Sequence, residues 1–401
     1  MAIRGVFTSH AGLNGERQQD LSARVLWVGP GGMAPMLALS SGMPSEPAKQ
    51  TSYSWIEDEH ISGNQAVVTG GNSGVTTMVM DSVGIWTKNT VIMNQTTGEY
   101  ILITALNADG VTVDSMIRGF GGTTAATITA ADKFQSVGTA FAEGSDRPEA
   151  VTQKGDERTN YVQIFKNGWA ITGTANAVTW VTGSQTARNR ELCFAYHAED
   201  IERATLWGRK GVRVVSGLQL RTSNGIIPQI EDYGGIVESV AAGGNAGEVN
   251  MVTIQNFMRR IFDKQAKGFP NERIAFSGSN FLELLQKMVL LDSTYNIESK
   301  ETEYGITVTT IIGFNGRLKI ISHPMMVENE QWQKELYVLH PGLIKKRVKR
   351  DSWSEEFNAQ KQNNNGKDSI EGYLAIEQGW ELRGAQTMGI LRNLTTAVAS
   401  F

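Results

Sequence analysis

Apolar residues in the segment 159–211 first follow the spacing of a strand and then that of a helix. Tyr161, Phe165 and Trp169 fall on one face of an extended segment, because side chains four residues apart share a face of a strand. The same spacing fits a helix, but Gly168 and the β-branched residues around it argue against one. The segment therefore predicts a strand.

A long amphipathic helix is predicted next, over residues 185–208. Its apolar stripe consists of Leu192, Ala195, Ile201 and Ala204. The polar face is expected to hold Arg188, Arg190, Glu191, Glu199, Glu202 and Arg203. At 1.5 Å per residue this helix is about 36 Å long.

Short strands are predicted throughout residues 51–148. The runs are TTMVMD, NTVIMNQ, EYILITAL, GVTVDSMIRGF and DKFQSVGTAF. In the fourth run, side-chain alternation is expected to place Val111, Val113, Ser115 and Ile117 on one face. Turn sequences at 96–98 and 107–110 favour hairpins. We expect a small antiparallel barrel or sandwich.

Residues 216–334 indicate a compact α/β unit. The apolar positions from Ile254 to Ile261 follow helical spacing, which continues to Gln265. Lys264 and Lys267 are expected in the last turn of this helix, and Gly268 is expected to end it. A strand is predicted at 273–276, and Asn280 is expected to cap a second helix over 281–291. The pair Asn315-Gly316 predicts a hairpin between strands at 306–314 and 317–322.

The two ends of the chain differ in pattern. Residues 1–50 are rich in Gly and Pro and predict an extended arm with at most one short helix, at 18–28. Residues 335–401 predict strands in ELYVLH, IKKRVKR and GYLAIEQGWELR, with a polar loop at 360–367.

Composition narrows the class of protein. A chain of 401 residues that is 40% hydrophobic has room for two or three domains. Its net charge of −4 argues against a function in which the whole chain binds a polyanion strongly. The single cysteine, Cys193, excludes an intrachain disulfide and a cysteine zinc site. No signal or membrane segment is predicted, so we expect a soluble protein from a reducing compartment.

Catalytic motifs are missing from the sequence. It contains no GxxxxGK[ST], HExxH or GxSxG, and no dinucleotide fingerprint after a strand. The five histidines are scattered over different elements: His10, His60, His197, His323 and His340. We therefore expect neither an enzyme nor a bound cofactor or metal.

Two charged clusters are the candidate sites. Glu57, Asp58 and Glu59 form the densest acidic group, which has the residue types of a cation site or a carboxylate pair. Because adjacent acids alternate along a strand, a solvated turn or a salt bridge between subunits is the favoured interpretation.

The second cluster is a basic run of Lys345, Lys346, Arg347, Lys349 and Arg350. On an inner surface such a run contacts phosphate backbone, but no interleaved aromatic residues support base stacking. An acidic loop of a neighbour, such as Glu355-Glu356 or the Glu57 cluster, is an equal or better partner, and a plain solvated strand is the commonest outcome for such a run.

The order of these elements resembles the major capsid proteins of tailed double-stranded DNA bacteriophages, the HK97-fold family. The resemblance is carried by the strand and long helix of 159–211 and by four further motifs in the expected order. These motifs are Tyr53-Ser-Trp55-Ile-Glu57-Asp58, residues 90–123 ending in Ile117-Arg118-Gly119, Phe141-Ala-Glu143-Gly144-Ser145, and Leu336-Tyr-Val-Leu-His-Pro341. Residues 268–279, between two helices, add a looser match.

The resemblance implies an α+β HK97-like capsid fold with five parts. They are an N-terminal arm (1–50), an extended loop (51–150) bearing an inserted antiparallel β domain (about 66–146), a peripheral domain (151–215) with a spine helix (about 185–208), an axial α/β domain (216–334), and return strands with a tail (335–401).

The resemblance also implies a function. Copies would form the hexamers and pentamers of an icosahedral shell, assembled in the bacterial cytoplasm and enclosing double-stranded DNA without sequence specificity. Further implied partners are a scaffolding protein, a portal and a decoration protein, but no membrane.

Other functions stay open at this point. A non-viral encapsulating shell shares the fold, although the inserted domain favours a virus. A decoration or glycan-binding role would use Trp86, Tyr100 and Phe120, for which packing in a core is the better explanation. A hydrolase built on the Glu57 cluster would need a pocket, of which the sequence gives no sign.

Overall fold

The computed structural model describes residues 34–240, 248–291, 298–303, 306–313, 316–358 and 367–397. The chain divides into two compact units, Met1–Trp55 with Thr159–Phe401, and Ile56–Arg158. The helix predicted at 18–28, the residue Asn315 and the loop from 360 to 366 lie outside the described residues.

Six α-helices are formed by the described residues. They are α1 Pro35–Ser40, α2 Gly173–Ala177, α3 Gln185–Trp207, α4 Ile226–Asp232, α5 Met251–Asp263 and α6 Ser279–Leu291. The strands, in chain order, are β1 Ser45–Pro47, β2 Ser52–Glu57, β3 Asn64–Thr69, β4 Met78–Met80, β5 Thr90–Asn94, β6 Tyr100–Leu106, β7 Thr112–Ile117, β8 Lys133–Thr139, β9 Asp156–Tyr161, β10 Gln163–Thr172, β11 Gly211–Val215, β12 Leu218–Thr222, β13 Ile236–Ser239, β14 Glu248–Val249, β15 Glu272–Ser277, β16 Glu298–Glu303, β17 Ile306–Gly313, β18 Gly316–Ser322, β19 Leu336–Leu339, β20 Ile344–Asn358, β21 Ser369–Leu382, β22 Gly389–Arg392 and β23 Thr396–Ala397.

The predicted long helix is confirmed as α3, which has 23 residues. Ser184 caps its N-terminus by accepting a hydrogen bond from the Ala187 N–H, and Gly208 follows its last turn. The buried face is shifted from the predicted stripe. Its members are Cys193, His197, Ile201, Glu202, Thr205 and Leu206, so Glu202 was wrongly expected on the polar face.

A four-stranded sheet in the order β1-β20-β21-β10 lies beside this helix. The predicted strand of the opening segment is β10, which pairs with β21 from Gln163 opposite Gln378 to Thr172 opposite Ser369. Phe165 of β10, Ile201 of α3 and Ile376 of β21 form one buried cluster. Helix α3 is therefore held against the sheet by apolar packing.

The first unit also contains a seven-stranded mixed sheet in the order β13-β22-β19-β15-β18-β17-β16. The apolar face of α5, capped by Asn250, packs in the same core as residues of β15 and β18. Helix α6 begins at Ser279, so Asn280 lies inside the helix and is not its cap. Helix α5 ends at Asp263, before Lys264 and Gln265.

The sheet also takes strands from beyond residue 334. Every residue of β19 is buried, and β19 lies between β15 and β22. A strand that is apolar along its whole length needs cover on both faces, which a central position in this sheet provides. The predicted boundary at 334 therefore does not separate two sheets, since residues 335–401 contribute to both.

The second unit contains a closed six-stranded barrel in the order β3-β4-β7-β6-β5-β8. All six strand pairs are antiparallel, which confirms the predicted inserted β domain. Gly98 and Gly110 have positive φ in the turns on either side of β6, where glycine carries no steric penalty. Trp86 is buried in the barrel core, and its Nε1 donates to the Gly63 carbonyl, so this ring is not free to stack on a sugar.

The alternation predicted for β7 holds only in part. Val113 is buried, but Met116 is buried too and Ile117 is 50% exposed. The register between β6 and β7 shifts around Ala105 and Ser115. Because such an irregularity moves the following side chains to the opposite face, Ile117 does not share a face with Val113.

Candidate assembly site

The three acidic residues predicted as a site lie at the end of β2 and directly after it. Glu57 ends β2, whereas Asp58 and Glu59 follow it on the exposed surface. Gln153 Nε2 donates to the Glu59 carbonyl. Across the residues that the structure describes, no group of three or more His, Cys, Asp or Glu side chains is placed to hold a metal ion. The cluster is thus a surface feature of the second unit.

The basic run lies in the first half of β20, where carboxylates from both neighbouring strands contact it. Lys345 Nζ is 2.7 Å from Glu46 Oε1, and Arg347 Nη1 is 2.6 Å from Glu46 Oε2. On the other side, Arg347 Nη2 is 2.5 Å from Glu381 Oε2. We call Glu46, Lys345, Arg347 and Glu381 the charge ladder.

Strand register explains these contacts. Glu46 of β1 lies opposite Arg347 of β20, and Glu381 of β21 lies opposite Lys345. Residues two apart on a strand share a face, so all four side chains of the charge ladder meet on one side of the sheet. The hydrogen bond from Lys345, reinforced by the charge of Arg347, lowers the pKa of Glu46 although burial opposes this shift.

Two more residues of the run make contacts within the subunit, and Lys346 is half-buried. Arg350 Nε is 2.7 Å from Glu377 Oε2, and Lys349 Nζ donates to the Lys49 carbonyl at 3.2 Å. Burial lowers the pKa of Lys346, although the charge of Asp351 opposes this. Three of its five cations, Lys345, Arg347 and Arg350, are therefore paired with carboxylates of the same subunit.

Within its own subunit the run contacts acids other than those suggested on a neighbour. The carboxylates that contact it are Glu46, Glu377 and Glu381, whereas Glu356 pairs with Arg190 of α3 at 2.5 Å. Each of the contacting acids is far from the run in sequence or separated from it by a loop. No local spacing in the sequence pointed to them.

A second polar centre, missed in the sequence, surrounds Glu202. Its carboxylate accepts hydrogen bonds from the backbone N–H groups of Met36 and Leu37, both at 2.7 Å. These two residues open α1, whose first N–H groups have no partner within the helix. Glu202 Oε1 is also 2.8 Å from His323 Nε2. The centre joins α1, α3 and the segment after β18.

Aromatic rings enclose this centre. The His323 ring meets Phe276 and Trp207 edge to face, with centroids 5.3 and 5.8 Å apart. Trp207 in turn stacks on Trp332 at 3.9 Å. Both Glu202 and His323 are fully buried. A signal existed in the sequence, because Glu202 lies four residues before the apolar Leu206 and hence on the same helix face.

The arrangement at these two centres is structural in character. At both centres, a carboxylate and its hydrogen-bond or ion-pair partners join strands and helices that are distant in sequence. No helix among the described residues is long and apolar enough to cross a membrane. These features define a structural subunit built of a sheet-and-helix unit and an inserted barrel.

Comparison with known proteins gives the family. Residues 5–395 match the family model described as SU10 major capsid protein, and the chain belongs to this family. It is also 27% identical over 323 residues to the major capsid protein of Pseudomonas phage PaMx41, covering 80% of this chain and 76% of that protein. The predicted resemblance to phage major capsid proteins is confirmed.

Solved structures from phages are among those that resemble the chain. A structure from Mycobacterium phage Bobi covers 96% of this chain and 97% of its own, with 11% identity and a TM-score of 0.44. The capsid of Myoviridae phage XM1 covers 97% and 99%, with 9% identity and a TM-score of 0.44. The assignment to the family rests on the family model.

Proposed function

We propose that copies of this chain assemble into hexamers and pentamers, which close an icosahedral shell around double-stranded DNA. The observation that carries this proposal is the match of residues 5–395 to a major capsid protein family. Closed shells repeat the same heterologous contacts many times. A chain with two compact units and protruding segments offers several surfaces for such contacts.

Each part of the chain has a role in this proposal. The arm (1–50) and the loop (51–150) with its barrel reach neighbouring subunits. The peripheral part (151–215) is organised by α3, and residues 216–334 form the axial part at the centre of each capsomer. Residues 335–401 return to both sheets of the first unit.

The charges support enclosure of DNA without tight binding. The chain has a net charge of −4, and two cations of the basic run, Lys345 and Arg347, are paired within the charge ladder. Since affinity for DNA grows with the number of phosphates neutralised, the shell should hold DNA weakly and without sequence preference. We propose that the acidic cluster contacts a neighbouring subunit through Glu57, Asp58 and Glu59. The basic run is proposed to lie near the inner surface, where its ion pairs join strands of its own subunit.

The chain is proposed to act without catalysis or a cofactor, together with partners of the same assembly. A scaffolding protein, a portal and a decoration protein are the proposed partners. Assembly takes place in the bacterial cytoplasm, and the finished protein is part of the virion.

Negative-stain microscopy and sedimentation of the purified chain test this function. We expect closed shells or ring-shaped capsomers, formed by the chain alone or on co-expression with its scaffolding protein. A protein that stays monomeric under both conditions would contradict the proposal. Hydrolysis of a glycan or peptide by the purified shell, lost on changing Glu57, Asp58 and Glu59 to amides, would show a catalytic role instead.

A further inference from the structure

A β-hairpin that follows α3 exposes apolar side chains on a rigid base. Strands β11 and β12 pair antiparallel, with Val215 opposite Leu218. Ser216 and Gly217 between them both have positive φ, 50° and 77°, as a type I′ turn requires. We call residues 211–222 the finger.

Nearly all of the finger is exposed. All five residues of β11 and four of the five of β12 are exposed. Five of them are branched aliphatic residues with exposed fractions between 42% and 71%: Val212, Val214, Val215, Leu218 and Leu220. The described strands add no third strand to this pair. A two-stranded ribbon is only marginally stable in water, so an uncovered apolar finger is unfavourable for an isolated subunit.

The base of the finger is held firmly. Thr222 Oγ1 donates to the Arg209 carbonyl at 2.7 Å, and the Lys210 N–H donates to Asn224 Oδ1 at 3.1 Å. Asn224 is itself buried, and its N–H donates to Asn160 Oδ1 at 2.8 Å. A ribbon fixed in this way loses little conformational entropy when it docks.

The charges of the finger indicate what covers it. Residues 209–223 contain Arg209, Lys210, Arg213 and Arg221 but no acidic residue. Arg209 pairs with Glu231 and Asp232 at the base, and Arg221 lies 3.8 Å from Glu377. Arg213, in the middle of β11, is exposed together with the aliphatic residues. The finger therefore fits a surface that is apolar and acidic.

A second copy of this chain fits that description. The chain carries a net charge of −4, so its surface is on balance acidic, and in a shell other copies are the most abundant neighbours. Nucleic acid fits less well, because the exposed residues are aliphatic and lack the rings on which bases stack.

We infer that the finger docks onto a neighbouring copy of the same chain and is buried in the assembled shell. This inference rests on the proposed function, since it assumes that copies assemble. It adds the surface that each subunit inserts into its neighbour. The contact is heterologous, because an apolar, basic ribbon meets a different surface on the next copy.

A matched pair of triple variants tests the inference. The finger variant is Val214→Thr, Leu218→Thr and Leu220→Thr, since threonine keeps the strand propensity and lowers the apolar area. The control variant is Ile164→Thr, Val178→Thr and Val181→Thr, which changes residues outside the finger and the barrel that are 44%, 50% and 58% exposed. Assembly is followed by sedimentation velocity over a range of concentrations, and folding by circular dichroism and the melting temperature.

We expect the finger variant to remain folded and to need at least a tenfold higher concentration to assemble. The single variant Arg213→Glu should weaken assembly in the same direction, more strongly at low salt. Wild-type protein in the same experiment tests the proposed function. If the wild type does not assemble, the proposed function is wrong; if the wild type and the finger variant assemble alike, only the inference about the finger is wrong.

Three results would overturn the inference. One is assembly of the finger variant at the wild-type concentration. Another is a lowered melting temperature of the unassembled finger variant, which would place the finger in contacts within its own subunit. The third is normal self-assembly with loss of scaffolding-protein binding, which would assign the finger to a different partner.

Discussion

The Glu202 carboxylate lies 2.8 Å from His323 Nε2, with both side chains fully buried. Glu202 also accepts the first backbone N–H groups of α1. A single carboxylate therefore joins α1 to the C-terminal part of α3 and to the segment after β18.

Replacing this carboxylate should destabilise the subunit strongly. In Glu202→Ala, two buried N–H groups and His323 lose their acceptor, and we expect the free energy of unfolding to fall by about 3–5 kcal/mol. Urea unfolding of the unassembled subunit measures this. Glu191→Ala, an exposed change on the same helix, should stay within about 0.5 kcal/mol of wild type. Equal stability of the two variants would show that the Glu202 contacts contribute little.

The charge ladder should respond to removal of its buried acid. Glu381 is fully buried and contacts Arg347 and Arg383, each at 2.5 Å. Glu381→Ala leaves these cations with one fewer partner inside the sheet, so we expect the free energy of unfolding to fall by about 3 kcal/mol. Lys349→Ala on the same strand is the control, because its Nζ makes an exposed contact and its removal should change the free energy of unfolding by less than about 0.5 kcal/mol. Comparable losses in both variants would contradict a special role for the ladder.

The sequence predicted those elements whose periodicity is local. Helices α3 and α5, the strand β10 and the barrel strands follow from spacing and turn residues. The partners of Glu202 did not, because they lie on α1, 166 positions away, and at His323, 121 positions away. The sequence did not indicate the partners of Lys345 and Arg347 either, because strand register, not sequence spacing, places Glu46 and Glu381 beside them.

The barrel core should unfold separately from the first unit. Phe134 is fully buried in the core of the barrel, with Ile92, Ile101 and Ile103 around it. Phe134→Ala should lower the free energy of unfolding of the barrel by about 3–5 kcal/mol. In hydrogen exchange, amides of β5, β6 and β8 should lose protection while those of α5 keep it, because the two cores are distinct. Loss of protection spread evenly over both units would argue against separate unfolding.

His340 should make the first unit less stable in acid. Burial, reinforced by the charge of Arg273, lowers the pKa of His340 from 6.5 to about 4. Between these values the unfolded chain binds a proton that the folded chain does not, so stability falls as pH falls from 6.5 towards 4. The melting temperature of His340→Phe should decline less over this interval than that of wild type. The two proteins should change in parallel above pH 7, and parallel curves at all pH values would contradict the prediction.

Proline at position 199 should break α3 and with it the shell. A proline there removes the N–H that bonds to the preceding turn and clashes with its carbonyl, at a cost of about 3 kcal/mol or more. Glu199→Ala is the matched control, because it removes only the partly exposed pairing with Arg203 at 3.1 Å, worth about 0.5 kcal/mol. Since α3 packs on the sheet through Ile201, a break two residues earlier should displace that contact. Counting particles by electron microscopy should show none for Glu199→Pro and wild-type numbers for Glu199→Ala. Wild-type yield from the proline variant would mean that assembly does not depend on an unbroken α3.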